Sequence, residues 1–279
     1  MTSTKEKTVG NLNLITSEEE LLARYLKEQN LDQVNAASAP VHPATGLYPR
    51  VVKRILDLLI AVPAFLVFLP FNLIFGICTF FDVGRPIFYK QTRAGKDGRP
   101  FEIVKFRNMN NNTGPDGKLL PPKYRVTKFG RFMRKYSLDE LLNFWSVIKG
   151  DMSIIGPRPL PMTFSGRMSE RHRMRTAVRP GLECPRVIRA DPDQCLYQAQ
   201  FENDVWYVEH VSFAADLKML FMLFKMTFNT KKRSNAASGN GYFAGYDHNG
   251  IATTLNRFKR MYPERWSEIA SEEEIHERV

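Results

Sequence analysis

The densest run of chemically capable side chains lies between Tyr136 and Pro159, in the segment YSLDELLNFWSVIKGDMSIIGPRP. Asp139 and Glu140 stand side by side there, preceded by Arg131, Arg134 and Lys135 and followed by the rigid Gly156-Pro157-Arg158-Pro159 turn. Leu138, Leu141, Leu142, Trp145 and Ile148 recur at helical spacing up to Gly150, which predicts a helix opening at Ser137. Two carboxylates among several cations at a helix N-terminus suit a bound anion together with a divalent metal. The helix dipole and the arginines are expected to keep Asp139 ionised, the state a carboxylate nucleophile needs. A plainer reading competes: Ser137 and Glu140 match a capping box, which leaves Asp139 as a solvated surface acid.

The elements that must hold these residues include one long apolar run. From Leu58 to Phe81 no charged side chain occurs across 24 residues. As a straight helix such a run reaches about 36 Å, enough to cross a bilayer. Pro63 and Pro70 each remove a backbone donor, and Asn72 puts an amide near the middle. Cations flank both ends, Arg50, Lys53 and Arg54 before the run and Arg85, Lys90, Arg93 and Lys96 after it. A spanning helix carries its positive charge mainly on the cytoplasmic side. The pattern therefore predicts a bent segment that dips into one leaflet and returns, with a single-pass anchor as the alternative and a buried core helix as the weakest reading.

The remaining chain is read around that run. Residues 17–30 predict an amphipathic helix with a Ser cap and an acidic first turn, followed by an Ala- and Pro-rich loop at 32–49. Residues 86–91 and 101–107 predict two short strands joined by a turn carrying Gly95, Asp97 and Gly98. Helical patterns then prevail to about residue 229, the last being FAADLKMLFMLFKMTF, whose Phe213, Leu217, Leu220, Phe221, Phe224 and Phe228 form one apolar stripe suited to a membrane interface or to a core. Residues 231–241 read as a linker, and the tail beyond is charged and partly helical.

Composition narrows the function. With 43% hydrophobic and 25% charged residues, the 279-residue chain is not wholly disordered, collagen-like or a polytopic transporter. Its 40 Lys and Arg against 29 Asp and Glu give a net charge of +11. That charge alone suggests nucleic-acid binding, but the apolar run argues against it and for an anionic membrane surface. The run from Arg167 to Arg179 holds five arginines (167, 171, 173, 175 and 179) that could draw lipid headgroups. Cys78, Cys184 and Cys195 form no CxxC pair, so neither a disulfide framework nor a zinc site is expected, and a reducing compartment is the default. The polar residues 1–16 predict no cleavable signal. The five histidines are scattered, and none is assigned to catalysis.

From Lys53 to Phe228 the chain resembles the bacterial sugar transferases, the monotopic polyprenyl-phosphate phosphoglycosyl transferases. The resemblance is carried, in order, by KRILD, the Pro-containing apolar run, QTRAGKDGRPFEIVKFRNM, RVTKFGRFMRKYSLDELLNFWSVIKGDMSIIGPRP, VRPG and WYVEHVSFAADLKML. It implies an α+β, predominantly helical fold with a re-entrant N-terminal membrane helix, a short β-hairpin and a helical catalytic globule bearing interfacial amphipathic helices. The corresponding division is an N-terminal extension at 1–50, the membrane helix at 51–82, a cytosolic catalytic domain at 83–230, and a linker with C-terminal appendage at 231–279.

The resemblance implies transfer of a sugar 1-phosphate from a nucleoside diphosphate sugar, with uridine the expected nucleoside, to polyprenyl (undecaprenyl) phosphate. Nucleoside monophosphate is released, and surface glycan synthesis begins at the cytoplasmic face of the bacterial inner membrane. On this resemblance Asp139 is the nucleophile and Glu140 holds Mg²⁺, while Arg158 neutralises the diphosphate, with Arg134, Arg179 and Lys105 as further phosphate-binding candidates. Lys105 and Arg107 match the family's KFR block, or else face solvent from a strand. Asp151 matches a family position, or else caps the next turn. Nucleotide sugar, polyprenyl phosphate and anionic lipids are the implied partners, nucleic acid is not, and homo-oligomerisation is left open.

Two departures stand out. Leu69-Pro70 occupies the place where the family often has Ser-Pro, and after Arg179-Pro180-Gly181 the text LECPRVIRADPDQ replaces an aromatic, Gln-containing segment. The second change leaves the sugar and nucleotide unassigned. It also motivates an alternative, a membrane-bound relative that has lost turnover and plays a structural or regulatory part.

Overall fold

The computed structural model describes residues 16–115, 117, 119–188, 195–227 and 241–276. The linker expected at 231–241 lies outside them except for Gly241, as does Phe228. The chain divides into two compact units, one built from residues 45–159 and 179–183 and the other from residues up to 44, 160–178 and those from 184 onward.

Helix α1 (Ser17–Ala37) opens the second of these units. Its cap is Thr16, one residue before the expected serine: the Glu19 amide donates to Thr16 Oγ1, and Glu19 returns the bond to the Thr16 amide. The helix also runs seven residues past its expected end, because DQVNAA keeps helical spacing and Leu31 and Val34 pack on the core below. Helices α5 (Leu196–Glu209) and α6 (Phe213–Thr227) come later in the chain. They are followed by an antiparallel hairpin, β5 (Phe243–Tyr246) with β6 (Ala252–Thr254), and by α7 (Leu255–Met261) and α8 (Pro263–His276). Leu22 and Leu26 of α1 pack with Ala244, Leu255, Phe258 and Ile269, so the first described helix shares one core with α7 and α8. The tail was read only as charged and partly helical; its hairpin instead fills a second cluster with Phe164, Phe201 and Phe243.

Three arginines of the run 167–175 are paired within this unit. Arg167 reaches Glu20 at 2.6 Å and Arg175 reaches Asp204 at 2.6 Å, both guanidiniums nearly fully buried, and Arg171 pairs with Glu202 at 2.8 Å. The expectation that the run faces lipid is thereby corrected for these three. Buried cations hold their charge only when paired, and carboxylates distant in sequence supply the pairing.

The other unit carries α2 (Lys53–Val83), β1 (Phe88–Ala94) and β2 (Pro100–Phe106), α3 (Lys128–Tyr136), α4 (Asn143–Lys149), β3 (Ser153–Ile155) and β4 (Gly181–Glu183). β1 and β2 pair antiparallel, Phe88 opposite Phe106 and Tyr89 opposite Lys105, around the expected turn with Asp97 and Gly98 in the left-handed region. β3 and β4 pair in parallel, an arrangement that helical patterning did not foretell.

α2 is one 31-residue helix that continues through Pro63 and Pro70. A bend was expected at these prolines, and the helix runs through both. Aromatic contacts on α4, Phe65 with Trp145 at 5.7 Å and Phe68 with Phe144 at 5.8 Å, hold the segment. Leu59, Leu66, Val67, Leu73, Ile77 and Phe81 remain exposed, which excludes the reading as a buried core helix.

α2 is fastened to its own unit at both ends. Arg54 donates to the Val147 and Ile148 carbonyls at 2.6 and 2.9 Å, capping α4, while buried Asp57 accepts from Ser153 Oγ at 2.9 Å and the Ile154 amide at 3.0 Å. At the far end Asp82 accepts from Thr127 Oγ1 at 2.6 Å, and that same oxygen caps α3 through the Gly130 amide.

Candidate active site

β2 delivers Lys105 and, just past its end, Asn108, while α3 delivers Arg134 on its last turn. α3 stops at Ser137, which adopts φ 54° and ψ 32°. Leu138–Glu140 then forms a single 3₁₀ turn, and α4 begins only at Asn143. The helix expected to open at Ser137 therefore opens later. A left-handed serine terminates one helix and makes no side-chain cap for the next, so the capping-box match is not realised. Asp139 and Glu140 sit on the tight bend between two helices.

Asp139 is buried, 7% exposed, and its Oδ2 accepts from Asn108 Nδ2 at 3.0 Å. Arg134 does not reach Asp139 directly; its Nε and Nη2 donate to Asn108 Oδ1 at 3.1 and 2.8 Å. Arg131 turns away to the Val126 carbonyl, and Lys135 lies over the Tyr136 ring. Burial pushes the Asp139 carboxyl above its ordinary value, the charge on Glu140 adds to this, and Lys105 and Arg134 offset it only in part. The lowering expected from a helix dipole and arginines does not prevail over burial, because no α-helix begins here and Lys105 and Arg134 bond to Glu140 and Asn108 instead.

Glu140 has the opposite environment. Lys105 Nζ and Arg158 Nη2 both lie 2.6 Å from its Oε1. Burial alone raises its pKa, but the two cations overcome that and hold it at about 2. Arg158 also reaches Glu183 Oε2 at 3.2 Å through Nη1. Backbone apposition makes this contact: Gly156 donates to the Glu183 carbonyl at 3.2 Å, Gly181 donates to the Pro157 carbonyl at 3.1 Å, and a Cβ on Gly181 would stand 2.1 Å from the Gly156 nitrogen. Only glycines allow the GPRP and RPG segments to lie so close.

Of the residues singled out in the sequence, Lys105, Glu140 and Arg158 form one ion network beside Asp139. Arg134 joins through Asn108. Arg179 instead donates Nε to the Gly150 carbonyl at 3.0 Å, bracing the end of α4. Arg107 bonds the Val83 and Arg85 carbonyls at the end of α2, and Asp151 pairs with Lys149 at 2.6 Å. Asn108, Glu183 and Asp57 were missed. Asn108 and Glu183 each lie within three residues of a motif already noticed, KFR and RPG, but nothing local names their partners.

The donor set bears on a divalent cation. Among the described residues no group of three or more His, Cys, Asp or Glu converges. Both cationic contacts of Glu140 fall on Oε1, and the hydrogen bond to Asp139 falls on Oδ2. Glu140 thus keeps Oε2 for a further ligand. That fits Mg²⁺, which uses one or two carboxylates and completes its shell with phosphate and water.

The family model for bacterial sugar transferases matches residues 48–230. An uncharacterised sugar transferase, EpsL, of Bacillus subtilis is 43% identical over 138 residues, covering 50% of this chain and 68% of the relative. The UDP-N-acetylgalactosamine-undecaprenyl-phosphate N-acetylgalactosaminephosphotransferase of Aeromonas hydrophila is 35% identical over 179 residues, covering 61% of this chain and 42% of that protein. The UDP-glucose:undecaprenyl-phosphate glucose-1-phosphate transferase of Klebsiella pneumoniae is 31% identical over 181 residues, covering 62% and 39%. The match to the last two therefore spans only about two fifths of their length.

Proposed function

Because the chain belongs to the bacterial sugar transferase family, we propose that it transfers a sugar 1-phosphate from a uridine diphosphate sugar to undecaprenyl phosphate, working from the cytoplasmic face of the inner membrane. The observation that carries the reading is the pairing of unlike acids: buried Asp139, held by Asn108, beside a Glu140 fixed as an anion by Lys105 and Arg158.

Asp139, in its ionised form, attacks the sugar-bearing phosphorus. The new bond joins its carboxylate oxygen to that phosphorus, and the bond to the bridging oxygen breaks, so the nucleoside monophosphate departs with that oxygen. A phosphate oxygen of undecaprenyl phosphate then attacks the same phosphorus, which releases the Asp139 carboxylate and yields the lipid diphosphate sugar. Charge balances in both steps, and the covalent stage lets a soluble donor and a lipid acceptor use one site in turn. Lys105 and Arg158 supply cationic charge beside the transferring group, which is the main demand of phosphoryl transfer. Mg²⁺ held by Glu140 would add neutralisation of the diphosphate.

The re-entrant geometry is part of the proposal. Arg54 and Asp57 at one end of α2 and Asp82 at the other all bond to the same compact unit, which supports entry and exit on one side of the bilayer. The exposed stripe Phe213, Leu217, Phe221 and Phe224 on α6 suits the interface with anionic lipid. A donor panel tests the reaction: with undecaprenyl phosphate and Mg²⁺, at least one nucleotide sugar yields nucleoside monophosphate, and Asp139→Asn yields none. No release with any donor favours the inactive relative.

A further inference from the structure

Asn108 is nine-tenths buried at the end of β2 and touches both Arg134 and Asp139. A side-chain amide has an acceptor end and a donor end. Two guanidinium donors on Oδ1 settle the orientation: only Nδ2 is left to face Asp139, and it donates to Oδ2 at 3.0 Å. The backbone is held as firmly. A Cβ on Gly130 would stand 2.2 Å from the Asn108 carbonyl oxygen, so α3 lies directly against this residue.

We propose that Asn108 is a positioning residue for Asp139. By holding Oδ2 it leaves Oδ1 as the oxygen that attacks phosphorus, and Arg134 serves the reaction through Asn108 rather than by touching the diphosphate. The torsion that exchanges the two oxygens of an aspartate is soft and twofold. A bound Oδ2 keeps the other oxygen in line with the bond to be broken, the kind of alignment on which displacement rates depend. The inference rests on the reading of Asp139 as the nucleophile.

The test uses the full chain in detergent or nanodiscs. Nucleoside monophosphate release is titrated against donor, and the phosphosugar adduct is timed by intact mass without acceptor. Asn108→Ala removes the donated bond; Asn108→Asp keeps the shape and the acceptor for Arg134 but has no N–H. Either variant, whichever keeps its thermal midpoint, is expected to lower kcat and adduct formation by about 10- to 100-fold, with donor KM held within about threefold. Asn108→Ala combined with Arg134→Ala is expected to be no more than about twofold slower than Asn108→Ala alone, because the two act in series. Native turnover in the Asn108 variants, a raised KM with kcat retained, or penalties that multiply in the double variant would each overturn the inference. Asp139→Asn, measured alongside, separates the two levels. If it forms no adduct and is inactive while Asn108→Asp runs at native rate, only the role of Asn108 fails. If it works at native rate, the underlying reading falls and this inference with it.

Discussion

Arg158 Nη2 sits 2.6 Å from Glu140 Oε1, the same oxygen that receives Lys105 Nζ at 2.6 Å. One guanidinium also reaches Glu183, so Arg158 ties the acid beside Asp139 to the strand that follows Pro180-Gly181. A lysine offers a point charge without a fork and cannot serve both carboxylates in this geometry. Arg158→Lys is expected to lower kcat/KM by about 100-fold, corresponding to about 3 kcal/mol of lost transition-state stabilisation. Stability should change little, since the side chain is 40% exposed. Nucleoside monophosphate release and a thermal melt on one sample measure both.

Glu140→Gln keeps the shape of the bend but removes the anion that Lys105 and Arg158 share. If Glu140 is the residue that holds Mg²⁺, activity falls and is partly restored by raised Mg²⁺, because a weakened site refills by mass action. A fully active Glu140→Gln enzyme at ordinary Mg²⁺ would remove that assignment.

Gly181→Ala tests the backbone contact beneath Arg158. Its Cβ meets the Gly156 nitrogen at 2.1 Å and the Gly156 Cα at 2.6 Å, and main-chain atoms cannot turn aside as a side chain does. The expected cost is about 1–3 kcal/mol in stability, with activity lost alongside. Gly166→Ala makes a matched control, since nothing lies within 4 Å of a Cβ there and its φ of −74° suits alanine. Equal melting points for the two variants would contradict the close-packing account.

Helical spacing and turn residues foretold α1, the β1–β2 hairpin and the apolar length of α2, because each is a local pattern. The bend at Ser137 was hidden for the opposite reason. The letters that would make a capping box are present, and only the left-handed backbone of Ser137 decides that they do not form one. Asn108 and Asp139 meet across 31 positions, and Ser153 and Asp57 across 96, distances at which no local rule pairs residues. The basic run 167–175 misled likewise, since Asp204 and Glu20 lie far away in sequence. Thus the presence of Asp139, Glu140, Lys105 and Arg158 in one site was legible as motifs, while their division of charge needed tertiary structure.

Acid stability provides a check on the other unit. His172 Nε2 and Arg171 both bond Glu202, at 2.9 and 2.8 Å, and although burial works against ionisation these partners hold the carboxyl at about 2. A carboxyl depressed in the folded state stabilises above its unfolded value near 4.5, and that contribution is lost as pH falls toward 2. Wild-type protein should therefore lose on the order of 2 kcal/mol from this group across that window. Glu202→Gln should start less stable near neutrality and show a flatter acid limb in denaturant titrations at stepped pH. A parallel shift of both curves would refute the assignment.

The proposed one-sided membrane topology rests on the anchoring of α2. Asp57 accepts from Ser153 and Ile154, and Asp82 accepts from the Thr127 hydroxyl that caps α3. A spanning α2 would carry one of these ends through the bilayer and would have to break one set of bonds. Single cysteines placed at Arg50 and at Lys96, in a background with Cys78, Cys184 and Cys195 all replaced by Ser, should therefore both resist an impermeant maleimide in intact cells and both react after the cytoplasmic side is opened. Labelling of only one from outside would mean that α2 crosses, and would remove the one-sided geometry in which Asp139 meets donor and lipid at the same surface.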